Sequence, residues 1–269
     1  MSAAAAPAST RTNAAAVVAL AMRVTFLGTG SAMPVTGRAQ TGLLLESDGN
    51  ALLVDCGSGV LARLAETEVG YEGVSSVLLT HHHLDHVSDL MALVKARWLA
   101  GADSLEIVGP EGTEDLVEGL FDVHDYLRGR LDVQIREVGP TEFGIAGFDV
   151  MGFEVRHSMP TLAYRFSNER GEADFVFSGD TEAFSALGDF ADGASVLAHD
   201  CSFPDDVDVS NHPTPSQVGE ALAGRDIESV YLTHLYPHAD RVADDLRASV
   251  SEQFEGEVRV AKDGLVVEL

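Results

Sequence analysis

The sequence predicts a layered α/β fold, and two features of its hydrophobic pattern lead to this prediction. Short apolar segments of strand length alternate with longer segments of helical length. The order of strand, polar loop and helix also recurs in both halves of the chain. A chain of 269 residues can form one such domain around one continuous core. We therefore expect a single sandwich built from two similar halves.

The predicted strands are near-continuous apolar runs, typical of strands that are buried on both faces. In chain order they are Arg23–Leu27, Gly42–Glu46, Ala51–Val54, Val77–Thr80, Leu105–Val108, Val150–Arg156, Asp174–Ser178, Val196–His199, Val230–Thr233 and Val258–Val260. The clearest helices are Asp85–Leu99, Thr113–Leu127, Pro215–Ala223 and Asp240–Glu252. The third helix has Thr214 as its N-cap and Pro215 at its first position, a combination typical of helix starts.

The globular domain is expected to begin near Met22. Residues 1–21 are almost all Ala, Ser, Thr and Pro, whereas strand-like alternation starts directly afterwards. We expect a flexible tail over residues 1–21 and one domain over residues 22–269, with Met1 or Met22 as the natural start. The apolar run Ala14–Met22 is too short to span a bilayer and has only Arg11 before it, so we expect neither a membrane span nor a secretion signal.

The net charge is strongly negative. The chain has 43 Asp and Glu residues against 17 Lys and Arg, which gives −26, and the acidic residues are spread over its whole length. Because salt screens self-repulsion, we interpret this surface as an adaptation to a high-salt cytoplasm. A broad nucleic-acid groove needs clustered cations and is excluded, so any such contact must be local. The two cysteines, Cys56 and Cys201, form no disulfide framework, as expected in the cytoplasm.

The segment Thr80–His86 carries the densest chemical signal of the sequence. It follows an apolar strand and precedes a helix, in the order H-x-H-x-D-H. Its candidate metal ligands are His81, His83, Asp85 and His86. Imidazole nitrogens and carboxylate oxygens are ligands that Zn²⁺ prefers. The alternative is a His-rich exposed turn, and His82, on the opposite side of an extended turn, is interpreted as structural or exposed.

This segment resembles the signature of the metallo-β-lactamase superfamily. The segments Phe26–Ala32 and Leu53–Gly57 also look like the start of ribonuclease-Z-like and arylsulfatase-like members, and the resemblance extends from Val24 to the C-terminus. It implies an αβ/βα sandwich of two mixed β-sheets flanked by helices. It also implies two Zn²⁺ ions, with Mn²⁺ as a substitute. The second His of H-x-H favours dizinc hydrolysis over the di-iron, oxygen-reducing branch, which carries Glu there.

The resemblance adds three ligands that each follow an apolar strand: His157, Asp180 and His234. It implies that His157 completes the first zinc site, that His234 joins Asp85 and His86 at the second, and that Asp180 bridges the two. Asp55 resembles the acidic residue that orients ligating imidazoles from behind.

The resemblance further implies hydrolysis of phosphodiester bonds. The expected catalytic residues are Asp85, His212 and Asp200. His212 lies just before a helix and would protonate the leaving oxygen, while Asp200 would orient it and raise its pKa. The alternative for His212 is an ordinary helix-entry residue.

Three departures distinguish the chain from tRNA-processing ribonuclease Z. First, His157 and Asp180 are only 23 positions apart (180 − 157), which leaves no room for the tRNA-binding arm that ribonuclease Z carries there. That arm is rich in Lys, whereas the nearby cations in this chain are just Arg165 and Arg170. Asp89 stands where many members have Gly, and Asp200 where ribonuclease Z has Glu. We therefore expect small phosphodiesters or short RNA ends as substrates, and not tRNA 3′-end maturation.

Two alternatives to a phosphodiesterase stay open. One is a metal-bound RNA-interacting or regulatory protein with little turnover. The other is a hydrolase of sulfate esters or of thioesters, because arylsulfatase-like and glyoxalase-II-like proteins share these motifs. Dimers are common in the superfamily, so the resemblance also admits a homodimer.

Overall fold

The computed structural model describes residues 22–167, 174–207 and 209–269. The predicted Ala-rich tail, residues 1–21, lies outside the described residues. The described chain forms two seven-stranded mixed β-sheets that pack face to face, with helices on their outer faces. The predicted sandwich is confirmed.

The described residues form fourteen strands. In chain order they are β1 (Arg23–Gly28), β2 (Gly42–Ser47), β3 (Asn50–Val54), β4 (Ser76–Leu78), β5 (Ser104–Gly109), β6 (Asp132–Glu137), β7 (Glu142–Ile145), β8 (Phe148–Glu154), β9 (Leu162–Ser167), β10 (Asp174–Phe177), β11 (Val196–Asp200), β12 (Ser229–Thr233), β13 (Glu257–Val260) and β14 (Val266–Glu268). The first sheet has the order β14-β1-β2-β3-β4-β5-β6, and the second has the order β13-β12-β11-β10-β9-β8-β7. Each sheet is antiparallel in one half and parallel in the other, so the two sheets mirror each other.

Strand residues alternate between two separate cores. Leu43 and Leu45 of β2 face the other sheet, where they pack in the same cluster as Phe166 and Phe175, whereas Leu44 faces the helices of its own sheet. Both faces of these strands are therefore buried. This double burial is the reason that the strands read as continuous apolar runs rather than as alternating ones.

The described residues form nine α-helices and one 3₁₀ turn. They are α1 (Val60–Leu64), α2 (Gly70–Gly73), α3 (Leu84–Val87), α4 (Leu90–Leu99), α5 (Thr113–Val123), the 3₁₀ turn Asp125–Leu127, α6 (Ser185–Ala191), α7 (Pro215–Leu222), α8 (Pro237–Asp240) and α9 (Ala243–Ser251). Helix α7 begins as predicted, with Thr214 and Gln217 forming a capping box ahead of Pro215. No helix among the described residues is long and apolar enough to cross a membrane.

Three predicted helices were wrong in their continuity. The predicted helix Asp85–Leu99 is divided into α3 and α4, because the Asp89 carboxylate turns away to accept hydrogen bonds from the backbone N–H groups of Gly59 and Leu61. The predicted helix Asp240–Glu252 begins only at Ala243, as α9, because Asp240 is the last residue of the separate helix α8. The predicted helix Thr113–Leu127 ends as an α-helix at Val123 and is followed by the 3₁₀ turn.

Several elements were absent from the sequence prediction. These are β6, β7, β9, β14, α1, α2 and α6. Strand β6 lies at a sheet edge and is only partly buried, so it lacks a continuous apolar run. Strand β9 is interrupted by Arg165, whose Nε donates to Asp174 Oδ2 at 2.7 Å. Helices α1 and α2 have five and four residues, which is too short to show a helical period.

Candidate metal centre

The predicted ligands all follow the carboxyl ends of strands. His81 and His83 follow β4, His157 follows β8, Asp180 follows β10 and His234 follows β12. In the second sheet β8, β10 and β12 run in the same direction, because β9 is antiparallel to both of its neighbours and β10, β11 and β12 are parallel. Their carboxyl ends therefore meet at one edge of the sandwich, where loops from both sheets come together.

Three imidazoles and one carboxylate form a first group at this edge. Their facing ligand atoms belong to His81, His83, His157 and Asp180 and lie within 4.8 Å of one another. His83 Nδ1 is 3.0 Å from His81 Nε2 and 3.1 Å from His157 Nε2. Asp180 Oδ2 is 3.7 Å from His81 Nε2. Burial, followed by the neighbouring imidazoles, lowers the pKa of His81 well below its usual value, which favours the neutral, metal-binding form.

A second group shares Asp180 with the first. Its members are Asp85, His86, Asp180 and His234, all buried. His234 Nε2 lies 3.1 Å from Asp85 Oδ2 and 3.2 Å from Asp180 Oδ2, while His86 Nε2 lies 3.2 Å from Asp180 Oδ1. The structure thus brings all seven predicted ligand side chains together, with the Asp180 carboxylate between the two groups.

The surroundings of the two ring nitrogens of His86 show whether this arrangement fits a metal ion. Its Nδ1 lies 2.7 Å from Asp55 Oδ2, so we place its proton there and the lone pair on Nε2. That Nε2 is buried and, although Asp180 Oδ1 lies 3.2 Å away, it makes no well-oriented hydrogen bond among the described residues. A buried, unpaired nitrogen is costly unless something binds it. An inward-facing imidazole lone pair among carboxylate oxygens fits a divalent transition metal.

Asp55, which the family resemblance assigned to a position behind the ligands, lies next to two of the imidazoles. Its Oδ1 accepts a hydrogen bond from Thr80 N and its Oδ2 accepts one from Thr80 Oγ1, both at 2.8 Å. Thr80 Oγ1 in turn lies 3.1 Å from His81 Nδ1. Asp55 therefore reaches His86 directly and His81 through Thr80, and both Nε2 atoms are directed toward Asp180. Thr80 was missed in the sequence, although it immediately precedes H-x-H.

A second buried network lies behind His234. The Ser202 hydroxyl is 2.9 Å from His234 Nδ1 and donates to Asp200 Oδ1 at 2.5 Å. Asp200 Oδ2 lies 2.8 Å from His212 Nδ1. The predicted pair of His212 and Asp200 therefore meets, and Ser202, which the sequence reasoning missed, connects that pair to the metal-ligand group. Its only sequence signal is its position two residues after Asp200.

The electrostatics of this network favour a charged pair. Burial lowers the pKa of His212, but the Asp200 carboxylate and its hydrogen bond more than compensate, so that the pKa lies above its usual value. Burial raises the pKa of Asp200, yet His212 and His234 hold it far below its usual range. His212 is therefore suited to carry a proton at Nε2 while Nδ1 stays bonded to Asp200.

His157 and His212 are linked through one loop. His157 Nδ1 donates to the carbonyl oxygen of Asn211 at 3.1 Å, and the rings of His157 and His212 are 5.2 Å apart. Asn211 has a positive φ of 69°, which is uncommon for a residue other than glycine. This loop conformation sets His212 beside the first group of ligands.

His82, His199 and the two cysteines are not members of these groups. His82 Nε2 is 2.8 Å from Thr113 Oγ1, at the start of α5, which is a structural contact. His199 is buried, with Nδ1 at 2.6 Å from the Asp200 carbonyl oxygen. Burial raises the pKa of both the Cys56 and the Cys201 thiol, which disfavours nucleophilic thiolates.

Comparison with known families gives a match over most of the chain. The model described as the beta-lactamase superfamily domain matches residues 50–235. A ribonuclease Z of Mycolicibacterium gilvum (strain PYR-GCK) is 32% identical over 273 residues, covering 90% of this chain and 94% of that protein. A ribonuclease Z of Haloferax volcanii is 27% identical, covering 93% of this chain and 96% of its own length.

Solved structures show the same architecture. The metallo-beta-lactamase fold protein YhfI from Bacillus subtilis superposes with a TM-score of 0.81 at 27% identity, covering 93% of this chain and all of its own. The short form of human tRNase Z superposes with a TM-score of 0.74 at 21% identity, covering 91% of this chain and 98% of its own. The second likeness supports the fold alone.

Proposed function

This chain belongs to the metallo-β-lactamase superfamily, and from that premise we propose that it is a metal-dependent hydrolase of phosphodiester bonds. The observation that carries the proposal is the convergence of six His and Asp side chains on a seventh, the shared Asp180 carboxylate. Two sequence relatives that match nine-tenths of its length are ribonucleases, which are hydrolases of phosphodiester bonds. The family alone hosts several chemistries, so the proposal rests on the site together with these relatives.

We infer that the cluster holds two Zn²⁺ ions, with Mn²⁺ as a substitute. The first would be held by His81, His83 and His157, the second by Asp85, His86 and His234, and Asp180 would contact both. When bound, such ions supply an activated water and positive charge that stabilises the attacked phosphoryl group. Asp85 thereby takes part in catalysis as well as in binding.

His212 is the proposed proton donor to the leaving oxygen. Its Nδ1 is engaged by Asp200, which leaves Nε2 to face a substrate at the metal-ligand groups. Asp200 is itself held by Ser202 and by the backbone N–H of Thr181 at 3.2 Å, so the imidazole ring is fixed in orientation. A fixed, charged imidazole can protonate a departing alkoxide without rearrangement.

The region between His157 and Asp180 favours small substrates. Strands β9 and β10 pair directly, with Ser167 opposite Asp174. The connection between them is residues 168–173, which lie outside the described residues, and this connection is too short to form a tRNA-binding arm. We therefore propose small phosphodiesters or short RNA ends as substrates, and not the maturation of tRNA 3′ ends.

A panel of four substrates tests the reaction class. The purified protein is assayed in molar KCl with zinc or manganese on bis-p-nitrophenyl phosphate, p-nitrophenyl sulfate, a thioester and a labelled precursor tRNA. We expect turnover of the phosphodiester and little processing of the precursor tRNA. Turnover restricted to the sulfate or the thioester would replace the proposed class, and inactivity on all four would favour an RNA-interacting or regulatory protein.

A further inference from the structure

A surface cleft of about 730 Å³ is formed by residues that follow His234 in the chain. It is formed by the end of α8, the first half of α9, the end of β13 and the loop after β13. Four cations contribute to its lining: Arg241, Arg247, Arg259 and Lys262. The chain has only 17 Lys and Arg residues, so this is an unusual concentration of positive charge for a protein with a net charge of −26.

Three of these cations differ from the other Lys and Arg side chains of the described chain. Each of the others contacts a carboxylate, an aromatic face or a backbone carbonyl; for example, Lys95 lies over the Tyr126 ring and Arg97 donates to the Tyr71 carbonyl. Within residues 22–167, 174–207 and 209–269, Arg241, Arg247 and Lys262 have no such partner. With 43 acidic residues available, three exposed cations that converge on one cleft without ion pairs suggest an external anion.

The acidic residues of the cleft indicate which kind of anion fits. Asp240 is neutralised by Arg38, whose Nε donates to Asp240 Oδ1 at 2.8 Å. Asp244 and Asp245, in the first turn of α9, also line the cleft and pair with none of its cations. They reduce the attraction for any single phosphate. A ligand that contacts several separate cations at once, as successive phosphates of one strand do, gains more than a lone anion.

The cleft lies within reach of the proposed reaction centre. Asp240 comes six residues after His234, so their Cα atoms are at most about 20 Å apart. Between them lies Tyr236, whose ring stacks on Phe203 at 4.5 Å and is 5.8 Å from the His212 ring. A single strand with one phosphate at the metal ligands could pass this aromatic pair and reach the cleft within a few nucleotides.

We propose that this cleft binds backbone phosphates of the single-stranded RNA segment that flanks the scissile bond. The assignment of RNA rests on the proposed function, whereas the anion site rests on the unpaired cations. The cleft would give a strongly acidic protein a local contact with a polyanion, without a broad basic groove.

The test compares two triple variants with equal loss of charge. The cleft variant is Arg241→Gln, Arg247→Gln and Lys262→Gln. The control variant is Lys95→Gln, Arg128→Gln and Arg130→Gln, three exposed cations in and after the helices of the other sheet. Binding of a fluorescent, phosphorothioate-linked 12-nucleotide RNA to the zinc-loaded proteins is followed by fluorescence anisotropy between 0.1 and 0.5 M KCl. Turnover of bis-p-nitrophenyl phosphate is measured in parallel.

We expect the cleft variant to bind the RNA about 30-fold more weakly at 0.2 M salt, and its log–log salt slope to be smaller by about 2, from three lost contacts at about 0.7 each. The control variant should change binding by less than about threefold, and both variants should retain turnover of the small diester. The inference would be overturned if both variants bound the RNA equally weakly, if the cleft variant bound it like the parent protein, or if the parent protein did not bind it. It would also be overturned if equimolar AMP or inorganic phosphate displaced the RNA. If the parent protein bound the RNA but did not hydrolyse the diester, and the cleft variant lost binding, the cleft would be confirmed as an RNA-binding site and the proposed function would be refuted.

Discussion

At the scale of single residues, two buried carboxylates determine how the imidazoles of the candidate metal centre are oriented. Asp55 accepts hydrogen bonds from Thr80 and from His86 Nδ1, and Asp200 accepts them from Ser202 and from His212 Nδ1. Each carboxylate leaves the opposite ring nitrogen free to face the cluster. The orientation of the ligands is therefore set before any ion binds, which lowers the cost of assembling the site.

Replacing Asp55 tests this orientation. In Asp55→Asn the side chain keeps its size but has one acceptor oxygen for three donor groups. We expect zinc affinity to fall by about 10-fold to 100-fold, measured by competition with a chromogenic chelator. The control is Glu106→Gln, on β5 and paired with Arg136, which should bind zinc like the parent protein. Parent-like zinc affinity in Asp55→Asn would refute the orienting role.

The pH dependence of turnover tests the pair of His212 and Asp200. In the proposed role the acid form of His212 is needed and its pKa is raised, so the high-pH limb of kcat should fall as the pH rises through that pKa. In Asp200→Asn the carboxylate that opposes the effect of burial is lost, so the pKa of His212 and the falling limb should move to lower pH. The substrate is a dinucleotide, whose alkoxide leaving group needs a proton. The leaving group of bis-p-nitrophenyl phosphate departs unprotonated, so with this substrate Asp200→Asn should not shift the high-pH decrease in kcat. An equal shift with both substrates would argue against proton donation by His212.

Four of the candidate ligands could be predicted from the sequence pattern alone, because His81, His83, Asp85 and His86 form a dense group of metal-binding types. The family resemblance added His157, Asp180 and His234, and it also indicated Asp55 and Asp200 behind them, but the hydroxyls that connect these residues were not predicted. Thr80 and Ser202 carry ordinary hydroxyls, whose importance comes only from the atoms that the fold places beside them. Composition and spacing hold no trace of such contacts.

At the scale of elements, the break between α3 and α4 connects the ligand segment to α1. Helix α3, which carries Asp85 and His86, ends at Val87, and Asp89 precedes α4 with its carboxylate accepting the N–H groups of Gly59 and Leu61 at 2.9 and 3.0 Å. The predicted continuous helix was wrong because this interaction lies 28 and 30 positions away in sequence. Long-range capping of this kind overrides helical periodicity and cannot be read locally.

Removing the Asp89 carboxylate tests its role as a cap. Asp89→Ala leaves the two N–H groups at the start of α1 without an acceptor. We expect the free energy of unfolding to fall by about 1–2 kcal/mol, the usual cost of losing a capping side chain, measured by urea denaturation. Glu118→Ala, on the exposed face of α5, serves as the control. A stability equal to that of the parent protein would show that α1 does not depend on Asp89.

At the scale of the whole molecule, the two sheets form one scaffold whose surface carries a charge of −26. Doubly buried strands gave clear sequence signals, whereas edge strands such as β6 and β14 did not, because solvent allows polar residues there. Self-repulsion among the surface carboxylates opposes folding, and dissolved salt screens it.

Thermal stability should therefore depend on salt. We expect the Tm at pH 7 to rise when KCl is increased from 0.1 to 2 M, measured by differential scanning calorimetry. The same increase in salt near the sequence pI of about 4.5, where the net charge vanishes, should have a smaller effect. A Tm that falls with salt at pH 7, or an equal rise at both pH values, would contradict the electrostatic explanation.

The most direct test of the central claim is the rate of bis-p-nitrophenyl phosphate hydrolysis by Asp180→Ala beside the parent protein, with zinc content determined on the same samples. Asp180 contacts both ligand groups, so its loss should reduce the rate by more than about 100-fold, since even residues behind metal ligands contribute 10-fold to 100-fold. The control is His124→Ala, which lies outside both groups and should hydrolyse the substrate like the parent protein. A parent protein with close to two zinc equivalents whose activity is lost in Asp180→Ala is the result we predict. Full hydrolysis by Asp180→Ala would contradict the assignment of this cluster as the reaction centre.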